Sequence, residues 1–177
     1  MSELRDEIQQ VRRQYPEGTR SAVMPALRLA QEHYGWLSPE ALREVADALE
    51  LTPAYCESIA SFYDMLHLQP VGRHMVEVCT NVSCALVGAQ QVLEEFESEL
   101  GVHAGETTDD GEVTLRTVEC LATCHWAVAA QVNYLDVPYL TPDRARKLVE
   151  DLRAGRDLDE ILTELRGAKT LQEARNG

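Results

Sequence analysis

The chain of 177 residues has no run near the roughly 18 continuous apolar residues needed to span a bilayer. Its opening, MSELRDEIQQVRRQ, is charged throughout and lacks the apolar stretch of a signal peptide. These two absences predict a cytoplasmic protein with no direct membrane insertion. Basic residues are scarce: 16 Lys and Arg stand against 30 Asp and Glu, a formal charge of −14. That balance argues against nucleic acid, whose phosphates reward a basic surface, and against docking on anionic lipid. No G-x-G-x-x-G follows a strand-like run, so the chain carries no dinucleotide-binding fingerprint of its own. Internal repeats and low-complexity tracts are also missing.

What is present is ordinary for a soluble globular protein, with 45% hydrophobic and 26% charged residues. The length suits one large domain or two small ones. Residues 1 to about 66 read as short helices. Val23, Leu27, Ala30 and Tyr34 recur at helical spacing, and Gly35 follows as a stop. In SPEALREVADALE, Ser38 is placed as N-cap, Pro39 at the first helical position and Glu40 near the positive end of the dipole. Leu42, Val45, Ala46 and Leu49 form the apolar face of that helix. TPAYCESIASFY repeats the device with Thr52 and Pro53, and predicts burial of Cys56, Ile59, Ala60 and Tyr63.

HLQPVGRH, with Pro70 and Gly72, reads as a connector. Beyond it the period changes. MVEVC alternates as a strand with one buried face would, and VTLRTV, residues 113 to 118, alternates again. A helix is predicted from Ser83 to Leu100, with Leu86, Ala89, Leu93, Phe96 and Leu100 on one side. AVAAQVNYL, residues 127 to 135, is a third strand candidate. A last helical region starts at Thr141 and Pro142 and buries Ala145, Leu148, Val149 and Leu152. DLDEILTEL then pairs Asp157 with Glu160 in a capping-box arrangement. The expected organisation is a helical domain over 1–72 for partner docking, a small α/β sandwich of the thioredoxin type over 73–166, and a fraying tail over 167–177.

Five cysteines in a chain without a signal segment point away from structural disulfides, because reducing compartments keep thiols reduced. Cys56 falls on an apolar helical face and reads as a buried thiol. The other four come in pairs, Cys79-x4-Cys84 and, after 35 intervening residues, Cys120-x3-Cys124. In each pair the first cysteine closes a strand-like run and the second lies in the turn after it. Two such turns at one end of a sheet bring four thiolates to one place. Cys84 also gains from the N-terminus of its helix, where the dipole favours a thiolate.

Zinc accepts gaps of this order and stays open. A dithiol oxidoreductase wants C-x2-C before a helix, and neither pair offers it. Plant-type ferredoxins share the C-x4-C opening but need a third cysteine after two intervening residues, where Val87 stands. A Rieske centre needs two histidines, and only His125 adjoins a cysteine. Four-iron clusters usually draw three cysteines from one compact run, which is missing. A two-iron cluster held by Cys79, Cys84, Cys120 and Cys124 is the economical solution. Its charge calls for backbone N–H donors from turns such as TNVS and LAT, and for apolar neighbours such as Val82, Leu121, Trp126 and Val128.

RSAVMPALRLAQEHYGWLSPEAL, ASFYDM, VCTNVSC, GETT, VECLATC and QVN together resemble the thioredoxin-like [2Fe-2S] subunits of the NADH-oxidising module of respiratory complex I, the NADH:quinone oxidoreductase. The resemblance runs from about residue 15 to 153. It implies one [2Fe-2S] cluster on the four cysteines. It also implies a partner subunit that binds NADH and flavin mononucleotide (FMN) and a larger iron–sulfur subunit in the same module. The chain would then be an electron-transfer subunit, peripheral to the inner face of the cell membrane through the complex, with its cluster beside the main electron path. Equivalent subunits of NAD-linked hydrogenases and formate dehydrogenases share the cysteine pattern. A zinc-stabilised interaction module is the alternative of another class.

The departures from the family are specific. C-L-G-[AS]-C at the second pair is here Cys120-Leu121-Ala122-Thr123-Cys124, and the following Ala-Pro is Ala127-Val128. Ala104 and Asp109 stand where prolines are usual. If the family glycine takes a positive φ, Ala122 is strained or its turn is shifted.

Overall fold

The computed structural model describes residues 3–16 and 18–167. The chain divides into two compact units, between Val71 and Gly72. An N-terminal helical region is followed by a mixed α/β unit, as the sequence predicts.

The first unit contains α1 (Glu3–Arg12), α2 (Val23–Tyr34), α3 (Pro39–Leu49) and α4 (Pro53–Ala60). Its helix ends follow the sequence signals. Ser38 Oγ accepts the Ala41 N–H at 3.1 Å, and Thr52 Oγ1 accepts the Tyr55 N–H at 3.3 Å, each ahead of a proline at the first helical position. Gly35, in the left-handed region at φ +78°, ends α2. Leu4 and Ile8 of α1 join Leu27, Val45, Leu49 and Cys56 in a core threaded with alanines. Tyr63 departs from expectation. α4 ends at Ala60, so the helical period no longer governs Tyr63, and its half-exposed ring packs edge-on against Phe62 at 5.1 Å.

The second unit runs β1 (His74–Cys79), α5 (Val82–Leu86), α6 (Ala89–Leu100), β2 (Val113–Val118), β3 (Ala130–Val132), β4 (Leu135–Val137), α7 (Pro142–Arg153) and α8 (Leu158–Arg166). The sheet order is β2-β1-β3-β4, with β1 parallel to β2 and antiparallel to β3. A parallel pair needs a crossover, which α5 and α6 supply. α6 packs on β1, β2 and α7, and α8 on β4 and α7. Phe96, Val76, Leu115, Val132, Leu148 and Ile161 lie in the resulting core. Thr141 Oγ1 caps α7 and Asp157 Oδ1 caps α8, and the four predicted α7 positions are buried. The tail expected to fray begins at 167, and its last ten residues lie outside the described ones.

Three expectations change here. β1 is paired along both edges, and residues from both of its faces are buried, Glu77 being only 3% exposed. Its carboxylate is held by Arg116 of the neighbouring strand, Nε at 2.7 Å and a second guanidinium nitrogen at 2.5 Å. The single helix expected over 83–100 is two, because Gly88 takes φ +110° between them. Leu86 consequently leaves the apolar side and is 81% exposed. The single strand expected over 127–135 is a hairpin of β3 and β4, turned by Asn133 and Tyr134 at φ +50° and +66°.

Candidate metal centre

The parallel register of β1 and β2 sets the site. Cys79 lies opposite Val118, so both strands end on the same side and release their following turns together. Cys79 is the last residue of β1, and its N–H goes to Ala129 O at 3.0 Å. Asn81 caps α5 through the Val82 N–H at 2.7 Å and leaves Cys84 in the first turn. Cys120 follows the end of β2 by two residues. Cys124 opens one 3-10 turn, Cys124–Trp126, closed by the Trp126 N–H to Thr123 O at 2.8 Å.

One recess is lined by all four of these cysteines, together with Asn81, Ser83, Leu121, Thr123 and Ala129. Cys79 and Cys84 are buried, while Cys120 and Cys124 are exposed. All are free thiols, and Cys120 Sγ lies 3.8 Å from Cys124 Sγ. Cys56 lies in the first unit, buried in its helical core, where desolvation raises its pKa. A larger cavity of about 550 Å³ lies between Ala85–Val92 and Leu140–Asp143, and no cysteine lines it.

Two backbone amides point at sulfur. Ala122 donates to Cys120 Sγ at 3.3 Å and Ala129 to Cys84 Sγ at 3.4 Å. The LAT turn therefore supplies a donor as expected. In TNVS, by contrast, the Val82 N–H is taken by Asn81 Oδ1 and the Thr80 N–H by Val118 O. The Cys79 thiol donates to Glu119 O at 3.5 Å. Burial pushes the Cys84 thiol up to about 11; the Ala129 N–H opposes the shift and the nearby Cys79 and Cys124 add to it. Desolvation is the largest of these effects at Cys84.

Of the expected apolar neighbours, Val128 is buried, Leu121 and Trp126 are half-buried, and Val82 is 64% exposed. His125 is exposed, and its ring leans on Trp126 at 4.7 Å and 45°. Ala122 does occupy the left-handed region, at φ +60°, and the Ala127–Val128 peptide is cis. Two contributors escaped the sequence reading. The Ala129 amide becomes visible only through the pairing of β3 with β1. The Thr123 hydroxyl oxygen is buried, with no hydrogen-bond partner among the described residues.

Among the described residues no three His, Cys, Asp or Glu side chains are arranged to hold a single metal ion. The four thiols instead frame a recess. An all-sulfur donor set, amide hydrogens directed at two of the sulfurs and an unpartnered hydroxyl in the same wall fit an iron–sulfur group.

Comparison with known proteins agrees with this donor chemistry. A model of the thioredoxin-like [2Fe-2S] ferredoxin family matches residues 8–153. The chain is 41% identical over 149 residues to NADH-quinone oxidoreductase subunit 2 of Thermus thermophilus, covering 82% of this chain and 81% of that one. It is 39% identical over 158 residues to an NADH-quinone oxidoreductase subunit of Rhizobium meliloti, covering 89% and 94%. Among solved structures, an NAD+-reducing [NiFe]-hydrogenase in its air-oxidised state shares the fold. Its TM-score is 0.71 at 24% identity, over 78% of this chain and 24% of the hydrogenase chain.

Proposed function

The chain belongs to the thioredoxin-like [2Fe-2S] ferredoxin family, and from that premise we propose that Cys79, Cys84, Cys120 and Cys124 hold one [2Fe-2S] cluster. The protein then serves as an electron-transfer subunit of an NADH-quinone oxidoreductase of the respiratory complex I type. When bound, such a cluster takes up and gives back one electron at a time. The observation that carries the reading is the one recess that all four cysteines line.

Each part of the wall has a task in this reading. The ends of β1 and β2 hold Cys79 and the turn bearing Cys120 in fixed register. The amides of Ala122 and Ala129 offset negative charge on sulfur without adding a charged side chain. Val128 and Leu121 keep water from the buried side, which strengthens those electrostatic interactions. The chain oxidises no NADH itself; a partner subunit carrying FMN and the NADH site does so, and a larger iron–sulfur subunit completes the module.

Docking through the first unit is supported by exposed apolar side chains, Phe62 at 78% with Met65 close by in sequence. Among the described residues no helix is long and apolar enough to cross a membrane, which suits a peripheral place on the inner face. The names of the relatives favour a quinone-linked assembly over a hydrogenase or formate dehydrogenase.

Anaerobically purified protein tests the reading. Iron and acid-labile sulfide in equal amounts, about two of each per chain, with an electron-spin signal after reduction are the expected result. Colourless protein carrying zinc would instead identify a zinc-stabilised interaction module.

A further inference from the structure

We infer that the hydroxyl of Thr123 donates a hydrogen bond to a sulfur atom of the cluster centre and so favours its reduced state; the inference rests on the cluster assignment above. Thr123 stands between Cys120 and Cys124 and lines the same recess as all four cysteines. Its backbone is fixed: the carbonyl accepts the Trp126 N–H at 2.8 Å, and the preceding Ala122 turns the chain at φ +60°. Its hydroxyl oxygen is buried and has no partner among the described residues. Buried donors without a partner are rare in folded proteins because their lost hydration is not replaced.

The surroundings explain how the partner arises. Ala122 and Ala129 already direct their amides at Cys120 and Cys84. A thiol is a weak acceptor, whereas a thiolate or sulfide is a strong one. Loading the site removes the thiol protons and brings inorganic sulfide, a strong acceptor, into the recess that Thr123 lines. Reduction adds one negative charge to the centre, so a donor there stabilises the reduced form more than the oxidised form. Thr123 is therefore a positioning and tuning residue rather than a ligand.

The test compares loaded wild-type protein with Thr123→Val, Thr123→Ala and Thr123→Ser. A dye-mediated redox titration, followed by the electron-spin signal of the reduced centre, reads the midpoint potential. Valine and alanine are expected to shift the reduced-to-oxidised ratio about tenfold toward the oxidised form, a midpoint about 59 mV lower for one electron. Serine, which keeps the hydroxyl, stays close to wild type. If valine blocks loading, alanine, which removes atoms and adds none, carries the comparison. Loaded valine and alanine variants with the wild-type midpoint overturn the inference and leave the cluster assignment standing. Wild-type protein without iron and sulfide removes both.

Discussion

Ala129 fastens Cys84 by donating its amide hydrogen to Sγ over 3.4 Å, while its carbonyl takes the Cys79 N–H at 3.0 Å. One residue ahead of β3 thus organises both members of the first cysteine pair. Ala129 is reached only because β3 runs antiparallel beside β1, with Ala130 opposite Val78. The sheet order, and not the spacing of the cysteines alone, brings these groups together.

The proposed ligand set predicts a clear split among the five cysteines. Cys84→Ser and Cys120→Ser are expected to fall well below half the wild-type iron and sulfide content. Cys56→Ser should keep both, because Cys56 belongs to the helical core of the first unit. Equal iron in wild type and Cys120→Ser would contradict the assignment.

Ala122 offers a stability test. At φ +60° a side chain crowds its own backbone, at a cost of order 1–3 kcal/mol. Ala122→Gly removes that crowding and gives back part of the gain through a looser unfolded chain. The net expectation is stabilisation by about 1 kcal/mol, read as a higher urea midpoint at unchanged slope. A loss of stability would mean that the turn is not left-handed.

Gly72 tests the entry into the second unit. Its amide donates to Thr114 Oγ1 at 2.6 Å, and an added Cβ would lie 2.7 Å from the Val113 carbonyl carbon. Backbone atoms cannot yield as a flexible side chain does. Gly72→Ala should cost about 1–3 kcal/mol or more, and thermal unfolding of the variant measures it. A melting temperature unchanged from wild type would show that the contact is looser than described.

His74 predicts a pH dependence. Burial first, then the neighbouring Arg73, lowers its pKa, while Glu112 opposes the shift. The unfolded side chain titrates near its ordinary value of about 6.5. Between that value and the lower folded one, the unfolded state binds more protons, so stability falls as pH drops through this window. The contribution is full above the unfolded value. His74→Gln should flatten the dependence of the urea midpoint on pH between about 7.5 and 5.5; an unchanged slope would show that other groups set it.

The parts legible in sequence were those governed by local rules. Ser38-Pro39, Thr52-Pro53 and Thr141-Pro142 announced helix starts because cap and proline act within one turn. β1 and β2 were legible from alternation and β-branched residues. The break at Gly88 was hidden because apolar residues continue on both sides of it. The hairpin at Asn133-Tyr134 was hidden because tyrosine is an uncommon occupant of the left-handed region. Glu77 misled by looking like the wet face of a strand, when Arg116 across the sheet lets it be buried. At the site, the cysteines and the departure at Ala122 could be named in advance. The Ala129 amide and the Thr123 hydroxyl depend on strand order and on the shape of one turn, which no spacing encodes.

Cys79 and Cys84 are enclosed by strand and helix, whereas Cys120 and Cys124 ride on an outward loop. Under the proposed assignment, the interior half of the centre is built by the same packing that builds the fold. Oxidants reaching the empty apoprotein would attack that loop's sulfurs first, which favours handling it without air until it is filled.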